Sequence, residues 1–319
     1  MALEFGRSAF IKYAKESTYG TAVTTTVSNR VTSVSLSRSQ ERERTTHLSQ
    51  GDAGFATNTF DGFEQAGGSV EMPLFYQGNG LLIEVACGAS VSVSGSGPYT
   101  SVFEPRNTST NPTLDSLTID FQRGTGSKET FEGCMVSTIS FSCEAGGEAS
   151  ISVEFLAETA QTRASGITPT FGSGAQVFHH QVTAAGLDFN SVNYKVRSFE
   201  FSIDNKLERV NNLGSKLTGQ PQISDVREVM ITATLDLEDN NLYNAQLDGT
   251  QSDVSLKFQS GTDEIQFLLR NAKIVDYSDD VTSFGRIERT VTFMGLGVSG
   301  GDKPFKITLI NGDSTGIGN

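Results

Sequence analysis

The chain has 319 residues, of which 36% are hydrophobic, enough to bury a real core and to fill about two domains. With 24 basic against 37 acidic residues the net charge is −13, which argues against a nucleic-acid binder held by counterion release and against docking on anionic lipid. Low charge density (19%) with many Ser and Thr points to a folded β protein rather than a disordered one.

Three cysteines, Cys87, Cys134 and Cys143, are too few for a disulfide framework and read as free thiols of a reducing compartment. A Cys134–Cys143 pair stays open if their strands are adjacent. The N-terminus lacks the basic-then-apolar order of a signal peptide. The densest apolar stretch, around residues 81–86, is far too short to span a bilayer.

Apolar and polar residues alternate along most of the chain, the period-2 mark of half-buried strands. In chain order the predicted strands centre on Val70 to Leu74, Leu117 to Phe121, Ile151 to Phe155, Phe199 to Ile203, Val229 to Leu237, Val254 to Phe258, Ile265 to Leu269 and Val291 to Phe293. Gly, Asn and Asp clusters separate them, as turns require. The two halves repeat. Val31 to Ser37 matches Val196 to Ser202, 165 residues on, and a long polar loop follows each, 38–66 and 204–227. Val70 to Leu74 then matches Ile231 to Leu235 at an offset of 161. Two short helices come next at the same offset, each opened by an Asn cap (Asn79, Asn240) and closed by a Gly suited to the left-handed position (Gly88, Gly249). Phe121-Gln-Arg-Gly124 matches Phe258-Gln-Ser-Gly261, and Ile151 to Ala157 resembles Arg289 to Gly295. The offset falls to 137 because Ala89 to Asp115 is an insertion in the first half, read as an exposed loop or hairpin. The chain therefore divides into units 1–165 and 166–298, with Ser165 to Ala185 as linker, and a C-terminal strand and flexible tail over 299–319.

Little in the sequence carries chemistry. Gly312-Asp-Ser314-Thr-Gly316 fits the G-x-S-x-G pattern, but no helix or histidine follows it. Gly124-Thr-Gly-Ser-Lys128 lacks phosphate-loop spacing and reads as a hairpin turn with a solvated lysine. His179 and His180 point to opposite sides of an extended chain and lack further ligands. Asp276, Asp279 and Asp280 lack the rest of a calcium loop. No enzyme activity, cofactor or metal is expected. The mixed-charge runs Arg38 to Arg44 and Lys206, Glu208, Arg209 read either as solvated loops or as interfaces that dock by charge. Arg42, Glu43, Arg44, Lys206, Glu208 and Arg209 are the candidates for contacts between subunits.

The opening Ile11-Lys-Tyr-Ala-Lys-Glu16-Ser-Thr-Tyr19-Gly20-Thr-Ala resembles the N-terminal signature of tail tube proteins of long, non-contractile bacteriophage tails. Gly67 to Tyr76 with the following helix, Ser198 to Asn205, and Ile307 to Asn311 resemble further parts of that family. The resemblance implies a mainly β fold: two tandem β-sandwich or rolled-sheet units, each with one short flanking helix. It implies copies stacked as rings around a channel through which DNA passes without tight binding. Partners would be other copies and the tape-measure, tail-terminator and baseplate proteins, in a virion tail assembled in the host cytoplasm without membrane contact. Two units per chain predict a trimeric, pseudo-hexameric ring. Glu71, Asp120, Glu154, Glu200 and Asp236 are candidate lumenal acids, placed to repel phosphate. Two other classes stay open: a carbohydrate-binding or adhesin-type sandwich using Phe55, Phe60 and Phe63, and a hydrolase using Ser314.

Overall fold

The computed structural model describes residues 6–44, 58–105, 114–171, 176–181, 186–279, 284, 286–297 and 303–315. After one 3-10 turn (Gly6–Ser8), the first half carries β1 (Phe10–Lys15), β2 (Val27–Arg30), β3 (Ser33–Val34), β4 (Ser37–Arg44), β5 (Thr59–Pro73), α1 (Gly80–Cys87), β6 (Ala89–Ser94), β7 (Tyr99–Pro105), β8 (Leu117–Arg123), β9 (Ser127–Glu144), β10 (Ser150–Ala157), β11 (Thr159–Ala160) and β12 (Ala164–Ser165). The second half carries β13 (Leu187–Phe189), β14 (Val192–Tyr194), β15 (Val196–Asp204), β16 (Leu207–Val210), β17 (Gly219–Ile223), β18 (Glu228–Asp236), α2 (Asn241–Asp248), β19 (Ser252–Ser260), β20 (Asp263–Ser278), β21 (Glu288–Met294) and β22 (Phe305–Asn311). The fold is mainly β, as the alternation predicts.

The pairings between strands are antiparallel and build one long sheet backed by two shorter ones, with β16 and β17 as a separate hairpin. The long sheet runs β3/β4, β5, β10, β9, β15, β18, β21, β20. The first backing sheet runs β2, β1, β8, β9, with β11 and β12 on the far side of β9. The second runs β14, β13, β19, β20, β22, β7, β6. β9 and β20 each belong to two sheets: the first part of each strand lies in a backing sheet and the second part in the long sheet. A left-handed residue marks the bend in both, Gly133 (φ 64) and Asn271 (φ 48). Glycine is required at the first position, because a Cβ there would sit 2.9 Å from the Tyr19 ring. Asparagine tolerates the second.

Four strands of the first half thus recur in the second in the same spatial order, and the bulge of β9 against β10 recurs in β20 against β21. The pairing corrects one offset. Val70 and Ala233, not Val70 and Ile231, hold equivalent places, opposite Val153 and Val291. A slip of two residues keeps every side chain on its face, so the hydrophobic pattern cannot detect it.

The inner face of the long sheet and the backing sheets bury a single apolar cluster. Phe141 of β9 lies 6.1 Å from Phe201 of β15 and 5.0 Å from Phe267 of β20, ring centroid to centroid, so the two halves share this core. The Ala89 to Asp115 insertion is a hairpin, but it is not a free one. β7 pairs with β22, and Phe103 is fully buried there. A hairpin from the first half therefore extends a sheet of the second.

Both helices have eight residues and end on a left-handed glycine, Gly88 and Gly249. Neither opening asparagine caps with its side chain. Asn79 donates to the Phe75 carbonyl instead, and Asp239 accepts from Asn241 N at 3.1 Å. Near the start of α1, Gly78 N donates to Asp313, so the chain beyond β22 is anchored at that residue.

Because Phe141 packs across the join between halves, Phe141→Ala should cost about 3–5 kcal/mol. Urea unfolding should show it as a shift of one cooperative transition rather than loss of a separate half.

Candidate functional site

The join within the chain defines the site. β9 carries β10 on one edge and β15 on the other, with Phe201 opposite Phe141 and Asp204 opposite Thr138. The equivalent edge of β20, at Asp276 and Tyr277, has no strand partner among the described residues, and neither has the edge of β3/β4 that faces away from β5. One guard is visible on the second edge: the Leu36 carbonyl accepts from Arg123 Nη2 at 2.9 Å.

The outer face of the long sheet is built from hydroxyls and carboxylates. Directly opposed residues share a face. Ser69 faces Glu154, which faces Thr138, and Ser142 faces Glu200, which faces Thr232. Thr232 then faces Thr292, and that residue faces Asp276. Glu71, Glu154, Glu200 and Asp236 all stand on this face. Glu71 accepts from Ser33 Oγ at 3.0 Å and Glu154 from Thr138 Oγ1 at 3.0 Å. Two cations beside this face are held at the ends of strands by acids. Lys206 bridges Asp204 (2.7 Å) and Glu228 (3.0 Å), and its pKa is raised chiefly by the hydrogen bond it donates to Asp204. Arg197 bridges Asp236 (2.8 Å) and Glu288 (2.6 Å).

Asp120 stands elsewhere. It is buried in the first backing sheet, where Thr25, Thr130 and Lys128 satisfy its carboxylate. Lys128 is thereby paired with Asp120 at 2.9 Å rather than free in solvent.

Both long polar loops are hairpin arms. β4 and the start of β5 form the first, with Arg42, Glu43 and Arg44 exposed and Arg42 3.4 Å from Asp61. Its tip, residues 45–57, lies outside the described residues and includes His47 and Phe55. Phe60 is exposed and Phe63 half-buried. The second arm, β16 with β17, reaches back onto the first half. Arg209 donates to the Ala157 carbonyl (2.8 Å) and to the Ala66 carbonyl, and Glu64 N donates to the Lys216 carbonyl. Burial lowers the Arg209 pKa. Glu208 beside it is exposed. Of the six charged candidates, only Arg209 contacts the other half.

Sequence reading missed the residues at the base of this second arm. Asn205 is fully buried and donates to the Ala86 and Val136 carbonyls. Arg227 donates to Asn205 Oδ1 (2.8 Å) and to the Cys87 carbonyl (3.0 Å). The second half thus caps the open C-terminus of α1. The signal available was an Asp-Asn-Lys turn at the mouth of a long loop, where Lys206 takes a left-handed φ of 50.

The N-terminal signature has a structural reason. Glu16 is 7% exposed, and each carboxylate oxygen accepts two hydrogen bonds. Oε2 accepts from Ser116 Oγ (2.6 Å) and Gly20 N (3.0 Å), and Oε1 from Thr118 Oγ1 (2.9 Å) and Gly133 N (2.9 Å). Lys15 pairs with Glu84 of α1 (3.0 Å) and Asp115 (2.7 Å). At Gly20 (φ +70) a Cβ would stand 1.8 Å from Glu158 Oε2. Glu16 and Tyr19 of the signature therefore hold the turn after β1 against the bend of β9 at Gly133, Lys15 ties it to α1 and Asp115, and Gly20 makes room for Glu158.

The remaining motifs hold no such geometry. Cys87, Cys134 and Cys143 are buried free thiols, and burial pushes Cys87 up to about 12. The rings of His179 and His180 are 5.5 Å apart. Gly124 and Gly261 take left-handed φ at the β8–β9 and β19–β20 hairpins, as expected of turns. No helix among the described residues is long and apolar enough to cross a membrane.

The chain joins two similar halves through an internal strand pairing, keeps two sheet edges without a strand partner among the described residues, and presents a face of hydroxyls and acids. The chain matches the family model described as phage tail tube protein over residues 6–295, and it belongs to that family. None of the curated proteins compared with it matches. Its role is that of a structural component of a phage tail tube, and the virion tail is its place.

Glu16→Gln puts an amide where four donors converge and should destabilise the chain by about 2–4 kcal/mol, read as a lower melting temperature.

Proposed function

We propose that three copies close head to tail into one ring, and that stacked rings line the channel through which DNA and tail components leave. The observation that carries this reading is the β9–β15 join. It is a worked example, inside one chain, of the contact that two chains need. β20 offers the edge that β9 offers, and β3/β4 the edge that β15 offers. The same register would set Leu36, Ser37, Arg38 and Ser39 of one copy opposite Asp279, Ser278, Tyr277 and Asp276 of the next.

A head-to-tail contact of this kind makes a closed ring if its rotation closes and a filament if it does not. Eight strands from each of three chains give a barrel well above the size at which a lumen stays open. On this reading the units 1–165 and 166–298 alternate around the ring, six in all. The hydroxyl-and-acid face would be the lumen wall, with Glu71, Glu154, Glu200 and Asp236 on it; Asp120 has no part. Carboxylates there repel phosphate over roughly 10 Å at 0.1 M salt and leave the duplex mobile. Ring stacking, and contacts with tape-measure, terminator and baseplate proteins, fall to the exposed arms and loops.

Electron microscopy of the purified protein with its assembly partners should reveal rings of three chains with pseudo-sixfold symmetry; six chains per ring, or none, would overturn the reading. Asp279→Pro removes an edge N–H without touching the pairing to β21. It should leave monomer stability within about 0.5 kcal/mol and abolish rings. Tubes carrying Glu154→Lys and Glu200→Lys should assemble but release DNA several-fold more slowly, measured as ejection from whole particles.

A further inference from the structure

The two helices differ in one respect. Each left-handed glycine closes part of the last turn: Gly88 N reaches the Glu84 and Val85 carbonyls, and Gly249 N those of Ala245 and Gln246. That leaves the last two carbonyls of each helix without an intrahelical donor. On α1 these are Ala86 and Cys87, and the second half supplies Asn205 and Arg227 to them. On α2 the matching carbonyls are Leu247 and Asp248, and among the described residues nothing donates to them. Leu247 is 67% exposed, and Val275, beside it in the open edge of β20, is 45% exposed.

The donor that would match Asn205 is already present at the other end of the chain. The pairings Asp204–Glu228 and Ser39–Gln65 occupy equivalent places, so the next residue in each strand, Asn205 and Gln40, is equivalent too. Asn205 N donates to the Ser137 carbonyl at 2.9 Å, and its side chain to the Val136 and Ala86 carbonyls. Gln40 Nε2 is buried and has no hydrogen-bond partner. A buried amide left unpaired is costly unless something is meant to meet it.

We infer that Gln40 of one copy caps α2 of the neighbouring copy, its N–H on the Val275 carbonyl and its side-chain amide on the Ile274 and Leu247 carbonyls. The partner is a second copy of this chain, and the contact rests on the head-to-tail ring proposed above. Gln40 does between chains what Asn205 does within one, and the longer side chain offers the same amide.

The test uses the full-length chain. Gln40→Met keeps the volume and removes the amide. Its monomer should melt at the same temperature as wild type or higher, because the lost group has no partner there. Its threshold concentration for ring formation should rise roughly tenfold. An unchanged threshold, or a monomer that melts lower, overturns the inference. A Gln40→Cys, Val275→Cys chain, oxidised after assembly, should give disulfide-linked dimers and trimers on a denaturing gel. Rings that form without those links overturn the Gln40 contact and leave the ring reading standing. If wild-type chains form no rings at all, the ring reading itself falls.

Discussion

Backbone hydrogen bonding governs this molecule. A sheet whose inner face is buried must still satisfy the N–H and C=O groups at its two borders. In the middle of the chain the need is met, because β15 lies along β9. At the outer borders no strand meets it among the described residues. There the chain blunts its edges as soluble β proteins do. Arg123 occupies the Leu36 carbonyl, Arg38 is turned inward to Glu64 and the Ala160 carbonyl, and Asp276 and Asp279 put charge beside β20. Like charges on a given edge disfavour pairing of that edge with itself, whereas the internal join pairs uncharged residues such as Phe141 and Phe201 at equivalent places. The two borders thus present different residues, as the proposed head-to-tail contact requires.

The two faces of the long sheet divide the work. The inner face holds the Phe141, Phe199, Phe201 and Phe267 cluster that makes the halves one body. The outer face carries many short hydroxyl side chains, in contacts such as Thr232 with Thr292 (3.2 Å) and Ser142 with Ser150 (2.9 Å), with Met230 and Met294 as apolar members of one row. Such short side chains leave a smooth surface on which the few carboxylates dominate the field. The lysine and arginine nearest to them, Lys206 and Arg197, are each held between two acids.

Strand identity, the paired helices and the turn glycines were legible because period-2 alternation and left-handed glycine are local properties. What escaped was long-range. β7 finds β22 some two hundred positions away, and no local pattern in a Ser-rich hairpin announces that partner. Asp313 reaches Gly78 from the far end of the chain, while the obvious capping residue, Asn79, turns to Phe75. Asp120 and Glu154 look alike on alternating strands, yet one is buried among Thr25, Thr130 and Lys128 and the other is exposed. Only sheet membership separates them.

The duplication is imperfect in a directed way. The first half is finished by the second: α1 is capped, β9 is paired, and Arg209 crosses to Ala66 and Ala157. The second half has the same fittings, and among the described residues nothing donates to the last carbonyls of α2 and no strand lies along the free edge of β20. Meanwhile the first half carries Gln40, with its buried unpartnered amide, and the β3/β4 edge, which the proposed ring would bring to those places. A chain that folded only for itself would gain by erasing such mismatched ends, for instance by an apolar residue at position 40 or a strand laid along β20. Their presence at both ends, in matching register, is what the proposed head-to-tail ring requires of its repeat unit.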